Sequence, residues 1–164
     1  MPARVLLVDD ERIVLKGWVK ALRPTGHTLF TATTAQEALE IASREPLDVV
    51  VVDYLLGRPT GVEVLNSLRK KRPLVKAILI SGQFDEHVDE ASVRELIRDK
   101  VEVDLYLHKP VRNKELREAV SGLLSNAPVD WQEWAKKSKA ARDAKAEDVR
   151  EANGRLKQHL KKRD

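Results

Sequence analysis

Four groups able to do chemistry stand just past short apolar runs of this 164-residue chain. They are the acidic pair Asp9-Asp10 after Arg4–Val8, Asp53 after Val49–Val52, Ser81 after Val75–Ile80 and Lys109 after Val103–Leu107. If the runs are neighbouring strands, all four groups converge on one crevice. Three carboxylates held together repel one another, and the physical remedies are a raised pKa or a hard cation with oxygen ligands. Mg²⁺, commonly held by one or two carboxylates, waters and a phosphate, fits such a cluster. Taken singly, each group has a plainer use: an Asp as a helix cap, Ser81 in a turn, Lys109 as a solvated charge.

The elements that must position these groups follow from the apolar pattern. Val49-Val50-Val51-Val52 is β-branched at every position. A strand apolar on both faces belongs to a parallel sheet covered above and below, and Asp53 would stand at its carboxyl edge, where open α/β sheets place their sites. Further strands are expected at Arg4–Val8, Thr28–Thr33, Val75–Ile80 and Val103–Leu107. Between them the spacing predicts a first helix with Ile13, Val14, Gly17, Trp18, Ala21 and Leu22 inward, closed by Arg23-Pro24-Thr25-Gly26. A second helix, Ala35–Arg44, opens on a Thr34/Glu37 capping box, and a third runs through Val62, Leu65 and Leu68. The fourth covers Asp85–Lys100, and the last carries Leu116, Ala119, Val120, Leu123 and Leu124 on one face. Five strands alternating with five helices imply one doubly wound α/β sheet.

Composition narrows the classes. There is no cysteine, which excludes disulfides, thiol catalysis and thiolate metal sites. No apolar run approaches the roughly 20 residues that cross a bilayer, so no membrane insertion is expected and the cytoplasm is the expected compartment. Residues 126–164 hold 11 Lys/Arg against 7 Asp/Glu, whereas 1–125 are balanced, so the net charge of +4 belongs to the tail. Asn126-Ala127-Pro128 breaks the last helix, dividing a body of residues 1–125 from a basic, helical extension of residues 126–164.

The order Asp9-Asp10, Asp53, Ser81, Lys109-Pro110, with Gly61 eight residues past Asp53 and an aromatic at Tyr106, resembles the receiver domain of two-component response regulators over about residues 3–125. The resemblance implies a flavodoxin-like, five-stranded sheet of order 2-1-3-4-5. It implies that Asp53 accepts a phosphoryl group from a histidine kinase, a phosphotransfer protein or a small phosphodonor, with Mg²⁺ held by Asp9, Asp10, Asp53 and the Leu55 backbone carbonyl. Asp10 would be the closer ligand and Asp9 the more indirect one. Lys109 would supply a fixed positive charge, aimed by a cis bond to Pro110, and Ser81 and Tyr106 would form the switch. The resemblance implies that Ser81 would move to the phosphoryl oxygen and the Tyr106 ring would turn into the space it leaves. The chain departs from the family pattern in three places. Gly57 stands where a proline is usual, with Pro59 displaced, Gly82 replaces the small alanine often found after the hydroxyl residue, and 27 residues separate Ser81 from Lys109, a longer segment than compact receivers carry.

Protein contacts are the expected output, through an unknown downstream partner. The tail has too few apolar positions for a DNA-binding core, and nucleic acid is not an expected partner. The tail reads first as a solvated or partly disordered helical extension, while Trp131 and Trp134 suit docking onto the body or a partner. The oligomeric expectation is a monomer or a weak homodimer through the face of the fourth helix, fifth strand and fifth helix. No separate substrate is expected, only self-phosphorylation and autodephosphorylation at Asp53. The rival reading is an adaptor that keeps the fold and binds without phosphorylation. His27, His87, His108 and His159 are expected at the surface.

Overall fold

The structure, a computed structural model, describes residues 2–81 and 103–125. The expected helix at 85–100 and the tail with Trp131 and Trp134 lie outside the described residues, as do Gly82, His87 and His159. Five strands, β1 (Arg4–Val8), β2 (Thr28–Ala32), β3 (Val49–Asp53), β4 (Lys76–Ser81) and β5 (Leu105–His108), form one sheet. It is parallel throughout, in the order β2-β1-β3-β4-β5. The order read from the sequence therefore holds.

The valine run is the middle of this sheet. All five residues of β3 are buried, with Val51 opposite Leu7 of β1 and Ile78 of β4. Alternate side chains divide between two cores. Leu6, Val8, Val50, Val52 and Leu79 pack with Ala38 and Ala42 of helix α2 (Ala35–Arg44) and with Val62, Leu65 and Leu68 of helix α3 (Gly61–Lys71). Helices α1 (Arg12–Leu22) and α4 (Asn113–Leu124) pack together on the opposite side. Two long cations hold α4 in place: Lys76 donates to the Leu123 carbonyl, and Arg117 donates to the Ala21 carbonyl at 3.3 Å.

Three local expectations are corrected. In α1 the buried stripe is Leu15, Trp18, Ala21 and Leu22, whereas Ile13 is 77% exposed and Gly17 is exposed. At about 100° per residue Ile13 lies about 200° from Leu15, so a helix seated on the bulky Leu15, Trp18 and Leu22 must turn Ile13 outward. β5 begins at Leu105 rather than Val103. Asp104 is spent on the preceding turn, where its carboxylate accepts from the Ala77 N–H at 2.7 Å and pairs with Arg69 at 3.1 Å. At the start of α2, Thr34 Oγ1 accepts from the Glu37 N–H, but Glu37 returns to the Thr33 N–H and hydroxyl instead of closing a box on Thr34. The complete capping box stands at α3, between Thr60 and Glu63. It fixes the first turn of the helix that follows Asp53.

Candidate functional site

β1 and β3 are neighbours whose last residues lead directly to acids, and the parallel register, Val8 opposite Val52, places Asp9 beside Asp53. Asp9 is fully buried. Its N–H donates to the Ala32 carbonyl, and its Oδ1 accepts from the Glu11 N–H at 2.8 Å, so it shapes the loop into α1 rather than capping the helix. Asp10, one residue on, is exposed. Asp53 is only 4% exposed, and its Oδ1 accepts a long hydrogen bond of 3.4 Å from the Leu55 N–H. One oxygen from each of Asp9, Asp10 and Asp53 lies within 4.8 Å of the others. Hard carboxylate oxygens at that spacing fit a Mg²⁺ ion.

Lys109 binds this cluster together. Its Nζ donates to Asp9 Oδ2 at 2.9 Å and to Asp53 Oδ2 at 3.1 Å, and the bond to Pro110 is cis, as the resemblance implied. Burial raises the Asp53 pKa above the ordinary 3.8, the hydrogen bond and charge of Lys109 pull against that rise, and the neighbouring Asp9 adds to it. For Lys109, burial alone would lower the pKa. Its hydrogen bonds to Asp9 and Asp53 outweigh that, and the ammonium ends above 10.5. The lysine is therefore a fixed cation at neutral pH.

The remaining predicted residues are placed less completely. Leu55 lies in the loop after Asp53, 42% exposed, with its N–H on Asp53 Oδ1. Ser81 is the last residue of β4, opposite His108 in register. Tyr106 is half-buried against the core, its ring edge-on to His108 at 5.2 Å. The histidine expectation needs correction, because His27 and His108 are both half-buried, and His27 Nδ1 accepts from the Ala3 N–H at 3.2 Å. The departure at Gly57 has a visible cause. Its φ of +85° is closed to proline, whose ring holds φ near −65°, and the loop instead takes a cis peptide bond at Arg58-Pro59.

Sequence reasoning missed Trp18. Its apolar bulk places it on the inward face of α1, and its ring centroid lies 5.9 Å from Lys109 Nζ. It also missed Glu115, an acid buried beneath α4 whose carboxylate accepts from the Arg112 N–H at 3.5 Å. The signal for Glu115 was its place three residues past Arg112, at the third position of the helix, where an acid can reach back to the cap.

An acidic trio and a lysine at the carboxyl edge of a sheet ordered 2-1-3-4-5 define a flavodoxin-like α/β protein with its site where the strand order reverses. The chain matches the response regulator receiver domain family over residues 5–121, and it belongs to that family, the receivers of two-component systems. It is 36% identical over 124 residues to the sensor kinase CckA of Brucella abortus, covering 74% of this chain and 12% of the kinase. It is 28% identical over 129 residues to the alkaline phosphatase synthesis regulator PhoP of Bacillus subtilis, covering 79% of this chain and 51% of the regulator. The chain thus spans from about an eighth to about half the length of these relatives. Among solved structures it is similar to a CheY-like receiver domain from Methanospirillum hungatei, with a TM-score of 0.66 and 27% identity over 76% of this chain and 94% of that one. Among the described residues no helix is long and apolar enough to cross a membrane.

Proposed function

We propose that this receiver takes a phosphoryl group onto the Asp53 carboxylate from the phosphohistidine of a histidine kinase or phosphotransfer protein, or from a small phosphodonor, and that the modification switches its protein contacts. The observation that carries this reading is the buried Asp53 carboxylate, 3.1 Å from a charged lysine and ringed by two further acids. In the transfer, an Asp53 oxygen forms a bond to phosphorus while the bond from phosphorus to the donor breaks. With a phosphohistidine donor, the P–N bond is lost and imidazole leaves. Lys109, already beside Asp53, meets the charge on the incoming phosphoryl oxygens, and positioning with electrostatics supplies the catalysis. Asp9, Asp10, Asp53 and the Leu55 carbonyl would hold a Mg²⁺ ion, which supplies neutralisation of phosphoryl charge when bound.

Ser81, at the end of β4, is the residue that would follow the phosphoryl group, and Tyr106 is the ring that would turn after it. This is a two-state packing change biased by phosphate. The chemistry is confined to Asp53, as self-phosphorylation and hydrolysis of the aspartyl phosphate, with no separate substrate. The similarity to a sensor kinase and to a regulator supports pairing with a histidine kinase.

The test is incubation with acetyl phosphate and Mg²⁺, followed by intact mass. The chain gains one phosphoryl group, and Asp53→Asn gains none. Absence of any gain, or a gain that persists in Asp53→Asn, overturns the reading and leaves the phosphorylation-independent adaptor.

A further inference from the structure

We propose that Trp18 is a positioning residue for Lys109, its indole face holding the ammonium at the acceptor, a role that rests on the phosphoacceptor reading of Asp53. The lysine has three N–H donors. Two are engaged, on Asp9 at 2.9 Å and on Asp53 at 3.1 Å, and Nζ lies 5.9 Å from the Trp18 ring centroid, within range of a cation–π contact. Trp18 is 5% exposed and the Lys109 side chain 23%, so the contact is partly shielded from water, which strengthens such an attraction.

What the indole contributes is a restraint that the carboxylates cannot keep. Asp53 is the group to be modified, and Asp9 is shared with the cation site, so both ionic partners of Lys109 change their own partners during a cycle. The aromatic face changes none. It attracts the ammonium without a lone pair strong enough to compete with a phosphoryl oxygen, and it does not titrate. A leucine at position 18 would fill much of the same core between α1 and the sheet, but would leave the lysine held by charge alone. The placement also ties Lys109 to α1, the helix that begins directly after Asp9-Asp10, so the cation and the acidic pair keep one frame of reference.

The experiment has two arms on the full chain. In the first, Trp18→Leu and Trp18→Phe are phosphorylated with acetyl phosphate and Mg²⁺, after thermal melts confirm the fold. Trp18→Leu slows Asp53 phosphorylation about three- to tenfold, and Trp18→Phe, which keeps an aromatic face, stays within about twofold of wild type. In the second, Trp131→Phe and Trp134→Phe leave Trp18 as the sole tryptophan, and its emission is compared with and without Lys109→Met. Loss of the ammonium shifts the emission maximum, a response that an indole out of reach of the Lys109 charge does not give. This arm needs neither phosphorylation nor a change at Trp18, so it decides the contact even if wild type takes up no phosphoryl group or Trp18→Leu fails to fold. An emission spectrum indifferent to Lys109→Met in a folded protein, or a wild-type rate in folded Trp18→Leu, overturns the proposal.

Discussion

Gly61 stands so close to Asp53 that a Cβ on the glycine would fall 2.0 Å from the Asp53 carbonyl oxygen and 2.8 Å from its carbonyl carbon. The Gly61 N–H donates to the Tyr54 carbonyl at 2.9 Å, so the first turn of α3 is laid directly on the backbone that presents the acceptor. The overlap is with main chain, which has no rotamer to yield. Gly61→Ala is expected to destabilise the domain by about 2 kcal/mol or more, on the scale of overpacking in a filled core. Because the displaced backbone carries Asp53, phosphorylation slows as well. A urea midpoint equal to wild type would mean that α3 can step back at no cost.

The raised pKa of Asp53 makes its ionised form a burden on the fold. Burial is the main cause, opposed by Lys109 and reinforced by Asp9. An acid whose pKa is higher folded than unfolded costs nothing below the unfolded value near 3.8, takes away stability as the pH rises from there to the folded value, and carries the full cost above it. Asp53→Asn imitates the protonated side chain. At neutral pH it is expected to be more stable than wild type, seen as a higher Tm. The gap closes as the pH falls through the folded pKa. Parallel melts across an acidic pH series check both sign and window, and a variant less stable than wild type at pH 7 would contradict it.

The stretches that proved legible are those where one physical signal dominated. Val49–Val52 has no polar position to mislead, so strand, burial and parallel pairing followed together, and Asp53 came with them. Ala35–Arg44 has a threonine cap at one end and a small-residue face, and its bounds came out as read. α1 was harder because Ile13, Val14, Leu15, Trp18 and Val19 put apolar residues all around it, and only contact with the sheet and α4 selects Leu15 over Ile13. The start of β5 depended on Asp104, whose partners Arg69 and Ala77 lie far back in the chain. The site shows the same division. Local order exposed the acids and the lysine, whereas the contact of Trp18 with Lys109 joins distant elements and has no local sign.

Asp104 carries its own prediction. Its carboxylate ties the turn before β5 to the Ala77 N–H at 2.7 Å and to Arg69 on α3 at 3.1 Å, and its N–H donates to the Ala77 carbonyl. Asp104→Ala leaves the Ala77 N–H, inside the sheet, without its acceptor. The expected cost is about 1–2 kcal/mol. Asp104→Asn, which keeps an oxygen acceptor, recovers most of it. Denaturant midpoints for the pair check the assignment, and equal losses in both variants would move the effect from the hydrogen bond to the Arg69 ion pair.

Asp9 and Asp53 already share Lys109, whereas Asp10 is exposed and forms no ion pair among the described residues. Of the three acids, Asp10 therefore has its charge most available to an added cation. A ligand that binds only the folded state stabilises it by mass action, by about 2.7 kcal/mol at a concentration one hundred times its Kd. Mg²⁺ is accordingly expected to raise the Tm of wild type in a saturable way, in the absence of any phosphodonor. Asp10→Asn should lose most of that increment while keeping the Asp9–Lys109–Asp53 bridge, so its Tm without Mg²⁺ equals or slightly exceeds that of wild type as one repelling charge is removed. Asp9→Asn should differ on both counts, since it weakens a buried partner of Lys109 and lowers the Tm before any cation is added. Thermal melts of the three proteins over a Mg²⁺ titration separate these cases. Equal increments in wild type and Asp10→Asn would place the cation away from the cluster at the ends of β1 and β3.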